Sequence, residues 1–149
     1  MSDHYFDKYQ FEAQPELLRE IAKHLVPLVP KDTEVLAGLE LGGVPIATAL
    51  SLETGLPAAF VRKERKDYGT CLIAEGAALK GKRVLIVEDV ITTGGAVVES
   101  AEELRKEGAE LGRVLSVIFR GKPETDKVAK SGLERVSLLS MEDLEPHMG

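Results

Sequence analysis

Basic charge is in short supply in this chain. It carries 19 Lys and Arg against 25 Asp and Glu, a net charge of −6, and so lacks the basic face that a sequence-independent nucleic-acid binder needs. Cysteine is nearly missing: the single Cys71 excludes an internal disulfide framework and fits a reducing compartment. No apolar run approaches the length that spans a bilayer, and no signal-peptide pattern is visible at the start, so a cytoplasmic protein with no membrane partner is expected. His4, His24 and His147 are scattered without metal-ligand spacing. There is no internal repeat and no low-complexity tract. What remains is a chain of 149 residues, 44% hydrophobic and 30% charged, which is enough for one domain with a real core.

The stretch from Val84 to Ala96, VLIVEDVITTGGA, organises the rest. Val84–Val87 are apolar and mostly β-branched, the pattern of a strand buried on both faces. Glu88 and Asp89 follow at once, then Val90, Ile91, Thr92, Thr93, Gly94 and Gly95. From Ala96 the period becomes helical, with Val97, Ala101 and Leu104 on one face and Gly108 just past the end. A strand, a Thr/Gly turn and a helix start form an anion site in principle, because the first helical amides have no intrahelical partner and the dipole adds positive charge there. The turn is not a P-loop, since no lysine follows the glycines, nor is it G-x-G-x-x-G. Carboxylates repel phosphate, so the acidic pair should face sugar hydroxyls or a metal ion. A phosphorylated sugar meets both demands. The plain alternative is an ordinary strand–helix turn with a solvated acidic pair.

The remaining segments alternate. Tyr5, Tyr9 and Phe11 read as an edge strand. Pro15 to Val29 reads as a helix with Leu17, Ile21, Leu25 and Leu28 as its apolar stripe. Val35–Leu39 is a strand, and Glu40-Leu41-Gly42-Gly43 leads into a helix from Val44 to Thr54 ended by Gly55. Tight packing explains this second glycine turn as well as ligand binding does. Ala58–Val61 is a strand followed by Arg62, Lys63, Arg65 and Lys66, four cations in five residues. A solvated charge run is the usual explanation. Here, however, the run ends a strand, where open α/β sheets place ligands, and opens an aperiodic stretch from Lys63 to Lys80; a loop that long in a compact domain is usually a lid, a binding loop or disordered. Val114–Phe119 is a strand ending in Arg120, which could pair with a carboxylate or be a plain surface arginine. Pro123 to Ser131 reads as a short helix and Val136 to Leu139 as a last strand. The tail from Met141 is a short helix or a frayed end. Alternating strands and helices predict an α/β fold with an open, mainly parallel sheet flanked by helices. That fold would put Gly42-Gly43, Arg62, Glu88–Gly95 and Arg120 on the carboxyl edge.

The run EDVITTGGA resembles the phosphoribosyl-pyrophosphate (PRPP) motif of type I phosphoribosyltransferases. Together with FVRKERKDYGT and VIFR it is similar to the orotate-using branch. The resemblance implies that residues 1–149 form one phosphoribosyltransferase domain with a mobile catalytic lid and a shortened N-terminal hood, because family members carry a helix and a lysine-bearing base loop before their Y-x-D strand. It implies transfer of phosphoribosyl from PRPP to orotate, giving orotidine 5′-monophosphate and pyrophosphate in pyrimidine biosynthesis. Mg²⁺ would be bound mainly through PRPP, with no protein metal cage.

Carried over residue by residue, Thr92, Thr93, Gly94, Gly95 and Ala96 would hold the 5′-phosphate, with Val90 and Ile91 completing the PRPP motif. Glu88 and Asp89 would hold the ribose hydroxyls, and Lys66 would act with them in catalysis. Arg62, Lys63, Lys66 and Tyr68 would bind PRPP from the lid, and Leu41, Gly42 and Gly43 would form the pyrophosphate loop. Thr92 and Arg120 would contact orotate. Longer bacterial members carry a lysine where Gly42 stands, and many have histidine where Tyr68 stands. A homodimer with the lid acting on the neighbouring subunit is also implied. Other readings of the same residues are a purine-using transferase, a PRPP-sensing regulator, or a structural domain whose site is lost.

Overall fold

A computed structural model of the protein describes residues 11–63 and 73–140. Its frame is a six-stranded sheet in the order β3-β2-β1-β4-β5-β6. The strands are β1 (Val35–Leu39), β2 (Ala58–Val61), β3 (Ala74–Gly76), β4 (Arg83–Ile91), β5 (Glu110–Phe119) and β6 (Glu134–Ser140). All pairings are parallel except that of β2 with the edge strand β3. The helices are α1 (Pro15–Leu25), α2 (Gly43–Thr54), α3 (Gly95–Lys106) and α4 (Lys127–Lys130).

The central strands are apolar on consecutive residues because both faces are covered. All five residues of β1 are buried, as are Val84–Val87 of β4. Leu85 and Val87 pack with Leu25 of α1 and with Ile46 and Leu50 of α2. Val84 and Ile86 face the other way, into a cluster with Val97, Ala101 and Leu104 of α3 and Val128 of α4. Each fully buried Leu or Ile contributes about 1.5–3 kcal/mol relative to an exposed one. The two layers therefore clamp β4 in the middle of the sheet, and its carboxyl end becomes a fixed platform.

Several elements differ from the sequence reading, each for a physical reason. Phe11 is buried in a one-turn 3₁₀ helix, Phe11–Ala13, instead of ending an edge strand; Tyr5 and Tyr9 lie outside the described residues. The helix expected through Val29 is α-helical only to Leu25. Val26–Leu28 continue as a 3₁₀ turn, because Pro27 has no amide for the α-helical ladder. The aperiodic stretch from Lys63 to Lys80 contains β3, which pairs through Phe60 and Glu75. Three residues are too few to show a period, so only the long-range pairing defines that strand.

β4 runs on through Glu88 and Asp89 to Ile91 instead of stopping at Val87. Its ladder with β1 ends at Val87, but its ladder with β5 continues to Ile91 opposite Phe119. β5 and β6 likewise begin earlier than expected, at Glu110 and Glu134, where the pairs Arg83–Glu110 and Arg113–Glu134 keep polar residues in register. The helix expected over 123–131 is split at Asp126. That carboxylate accepts hydrogen bonds from the Val128 and Ala129 amides and so starts α4 afresh. No helix among the described residues is long and apolar enough to cross a membrane.

Candidate active site

The carboxyl ends of β1, β2, β4 and β5 share one rim, as parallel pairing requires. A cavity of about 680 Å³ opens there, lined by Glu40, Leu41, Gly42, Arg62, Lys63, Glu88, Val90 and Ala96, with Glu99, Ser100, Glu102 and Glu103 of α3 forming one wall. The expected glycine turn, the start of the cationic run, one of the two carboxylates and the start of the α3 helix thus meet in one cleft.

The acidic pair is divided between two environments. Glu88 is half-buried and lines the cleft, and its Oε1 accepts the Asp89 amide at 3.0 Å. Asp89 is fully buried. Its Oδ1 accepts the Val90 amide at 2.7 Å, while its Oδ2 has no hydrogen-bond partner among the described residues. An unsatisfied buried carboxylate oxygen is costly, and such a group fits a site that takes a hydroxyl or a hydrated cation.

The turn after β1 lies directly on this carboxylate. A Cβ placed on Gly42 would stand 2.7 Å from Asp89 Oδ1 and would overlap Oδ2 and Cγ, and one on Gly43 would overlap the Val87 carbonyl oxygen. Both positions need glycine for close approach, so tight packing and a ligand loop are compatible here. Leu41 is 62% exposed, and the Glu40–Leu41 peptide is cis.

On the β2 side, Arg62 Nη2 pairs with Glu75 Oε2 of β3 at 2.8 Å, and the Arg62 amide donates to the Ile73 carbonyl. Arg62 Nη1 is buried and has no partner among the described residues. The Lys63 amide donates to Glu40 Oε1 at 2.8 Å, tying the start of the cationic run to the end of β1. Lys66 and Tyr68 lie outside the described residues.

The Thr/Gly turn adjoins the cleft and meets it at Ala96. Thr92 and Thr93 are exposed, and Gly94 takes a left-handed φ of 86° as the residue preceding α3. No side chain among the described residues caps α3, which leaves its first amides for an anion. Arg120 is brought to the same turn: its amide donates to the Ile91 carbonyl at 2.8 Å, and a Cβ on the next residue, Gly121, would overlap the Thr92 carbonyl oxygen. The Arg120 side chain is exposed.

Several contributors escaped the sequence reading. Glu75 and Gly121 carry no periodic signal. Asp126 anchors the far side of the turn: its Oδ2 pairs with Arg135 Nε at 2.7 Å, and the Arg135 guanidinium stacks 3.5 Å from the Phe119 ring centroid. The Lys127 amide donates to the Thr93 carbonyl at 2.8 Å. Because Asp126 fell inside the helix expected over 123–131, its role as a cap shows only in the fold.

An open α/β sheet with an acidic strand end running into a Thr/Gly helix start defines a phosphosugar-binding class of enzyme. The chain belongs to the phosphoribosyltransferases, as residues 9–142 match the phosphoribosyl transferase domain. Its relatives point to one branch. An orotate phosphoribosyltransferase from a Nocardioides species is 50% identical over 95% of this chain and 79% of its own length. That of Halobacterium salinarum is 41% identical over 96% of this chain and 81% of its own. The orotate phosphoribosyltransferase of Mycobacterium tuberculosis in complex with PRPP superposes with a TM-score of 0.82 at 29% identity, covering 95% of this chain and 83% of that one.

Proposed function

We propose that the protein transfers the phosphoribosyl group of PRPP to orotate, giving orotidine 5′-monophosphate and pyrophosphate in pyrimidine biosynthesis in the cytoplasm. The placement of Arg120 carries the choice of base. Its amide donates to the carbonyl of Ile91, the residue before Thr92, so the backbones that carry an arginine and a threonine meet at the turn, where their side chains would face the base. Orotate has a carboxylate that purine bases lack, and a guanidinium can hold a carboxylate through two parallel hydrogen bonds.

In the reaction the bond from ribose C1 to the pyrophosphate oxygen breaks, and its electron pair leaves with pyrophosphate. A ring nitrogen of orotate forms the new bond to C1 and gives up its proton to solvent or to the departing pyrophosphate, while the ribose ring in between carries positive charge. Catalysis is then largely charge placement. The uncapped amides at Thr92–Ala96 would hold the 5′-phosphate. Glu88 and Asp89 would accept hydrogen bonds from the ribose hydroxyls and favour positive charge on the ring. The 41–43 loop would offer backbone amides to the pyrophosphate.

Among the described lining residues, five carboxylates (Glu40, Glu88, Glu99, Glu102 and Glu103) outnumber the two cations Arg62 and Lys63. A pyrophosphate would therefore need further positive charge there. Lys66 and its neighbours supply part of it in this reading. The unpartnered Asp89 oxygen and nearby Glu88 fit a hydrated Mg²⁺ carried in by PRPP, which when bound neutralises the leaving group. The lid would close from the neighbouring subunit of a homodimer and keep water from hydrolysing PRPP; here the family resemblance is the support.

The test is turnover of the purified protein with PRPP, Mg²⁺ and a panel of orotate, adenine, hypoxanthine and guanine. Orotate should be the preferred acceptor. Preference for a purine would reject the base assignment, and PRPP binding without turnover of any base would favour a regulator.

A further inference from the structure

We propose that Lys127 is a binding residue for the 5′-phosphate of the phosphoribosyl group, supplying the cation that the backbone cradle itself lacks. The inference rests on the reading of the Thr/Gly turn as a phosphoribosyl site. An ideal Cβ on Gly95, the first residue of α3, would lie 3.7 Å from Lys127 Nζ, 3.8 Å from its Cδ and 4.0 Å from Thr93 Oγ1. The glycine therefore leaves open a space that an ammonium and a hydroxyl border from two sides, at the end of the helix where anions are favoured.

Lys127 belongs to a different segment from the motif, and its position is held by three separate contacts. Its amide donates to the Thr93 carbonyl at 2.8 Å. The preceding Asp126, whose side chain is only 4% exposed, is fixed by its pair with Arg135 and by the amides it caps. The following Val128 is fully buried, with Cγ2 2.5 Å from the Cβ position of Gly94. Mounted this way, the root of the side chain is rigid while its ammonium stays exposed. No ion pair joins Lys127 to a carboxylate among the described residues. A lysine ordinarily stays hydrated unless an anion repays the ordering of its stem. A phosphate dianion between Nζ, Thr93 Oγ1 and the first amides of α3 would do so.

The role is binding, and it predicts a pattern across ligands that share the 5′-phosphate. Lys127→Gln keeps length and polarity and removes charge at an exposed position. It should weaken both PRPP and orotidine 5′-monophosphate roughly ten- to a hundred-fold, the range for loss of one charge-assisted hydrogen bond. Pyrophosphate, which has no ribose phosphate, should bind within about two-fold of the unmutated protein, and Lys127→Arg should restore most of the loss. Titration calorimetry with these three ligands reads all of this, and KM for PRPP should rise with little change in kcat. Unchanged affinity for PRPP and orotidine 5′-monophosphate in Lys127→Gln would overturn the assignment. So would an equal loss for pyrophosphate, which would mean a diffuse charge effect. If the unmutated protein binds pyrophosphate but neither phosphoribosyl ligand, the reading of the turn itself fails, and the role of Lys127 with it.

Discussion

Substituting Gly42 by alanine isolates the contact between the 41–43 loop and Asp89. The backbone at Gly42 has φ −64° and ψ −27°, which alanine adopts freely, so any cost is steric. The added methyl would overlap the Asp89 carboxylate, which is fully buried and anchored by the Val90 amide. Neither partner can swing into solvent, and relief must come from shifting the loop or the end of β4. Overpacking of this kind costs about 1–3 kcal/mol, equivalent to a fall in Tm of roughly 3–10 °C for a chain of this size. Asp89→Ala removes the atoms that the methyl would strike. The double variant should therefore recover much of the loss, with a coupling of about 1–2 kcal/mol. Urea denaturation of the four proteins, compared at equal m-values, measures the cycle. Additivity within about 0.5 kcal/mol would refute the close contact, and with it the picture of the loop resting on the buried carboxylate.

Two further outcomes test the reading of the site. Arg120→Ala should lower kcat/KM for orotate roughly ten- to a hundred-fold, the loss of a charge-assisted pair of about 1.5–3 kcal/mol, while PRPP affinity measured separately stays nearly unchanged; matched losses in both would assign Arg120 to the fold or the phosphate. Mixing inactive Lys66→Ala with inactive Asp89→Asn and allowing subunits to exchange should restore about a quarter of full activity, since half of randomly paired dimers contain one intact site. No recovery after verified exchange, or a monomer that is fully active, would rule out a lid acting across subunits.

Much of this protein was legible because its signals are local. β1 and β2 fall where their apolar runs lie, Val35–Leu39 and Ala58–Val61; β1 is apolar on consecutive residues because both of its faces are covered. The end of α2 follows from Gly55 alone, whose φ of 79° suits glycine. The order of Glu88-Asp89, Thr92-Thr93 and Gly94-Gly95 marked the site, because an acidic pair before an anion cradle is already a chemical statement.

Pairing and proximity needed the tertiary structure. β3 is defined by its partner Phe60, and the last four residues of β4 by their ladder with β5. Two adjacent carboxylates end up in different surroundings: Glu88 lines the cleft, while Asp89 is buried against the glycine turn at Gly42 with one oxygen unpartnered among the described residues. Successive side chains along a strand leave in opposite directions, and which direction meets a loop depends on what the fold lays over it. The same holds for Lys127, far from the motif in the chain, which reaches Gly95 because the Lys127 amide is bonded to Thr93 and Val128 packs on Gly94. Local composition sets what each segment can form; long-range hydrogen bonding and packing decide which charges finally face one another.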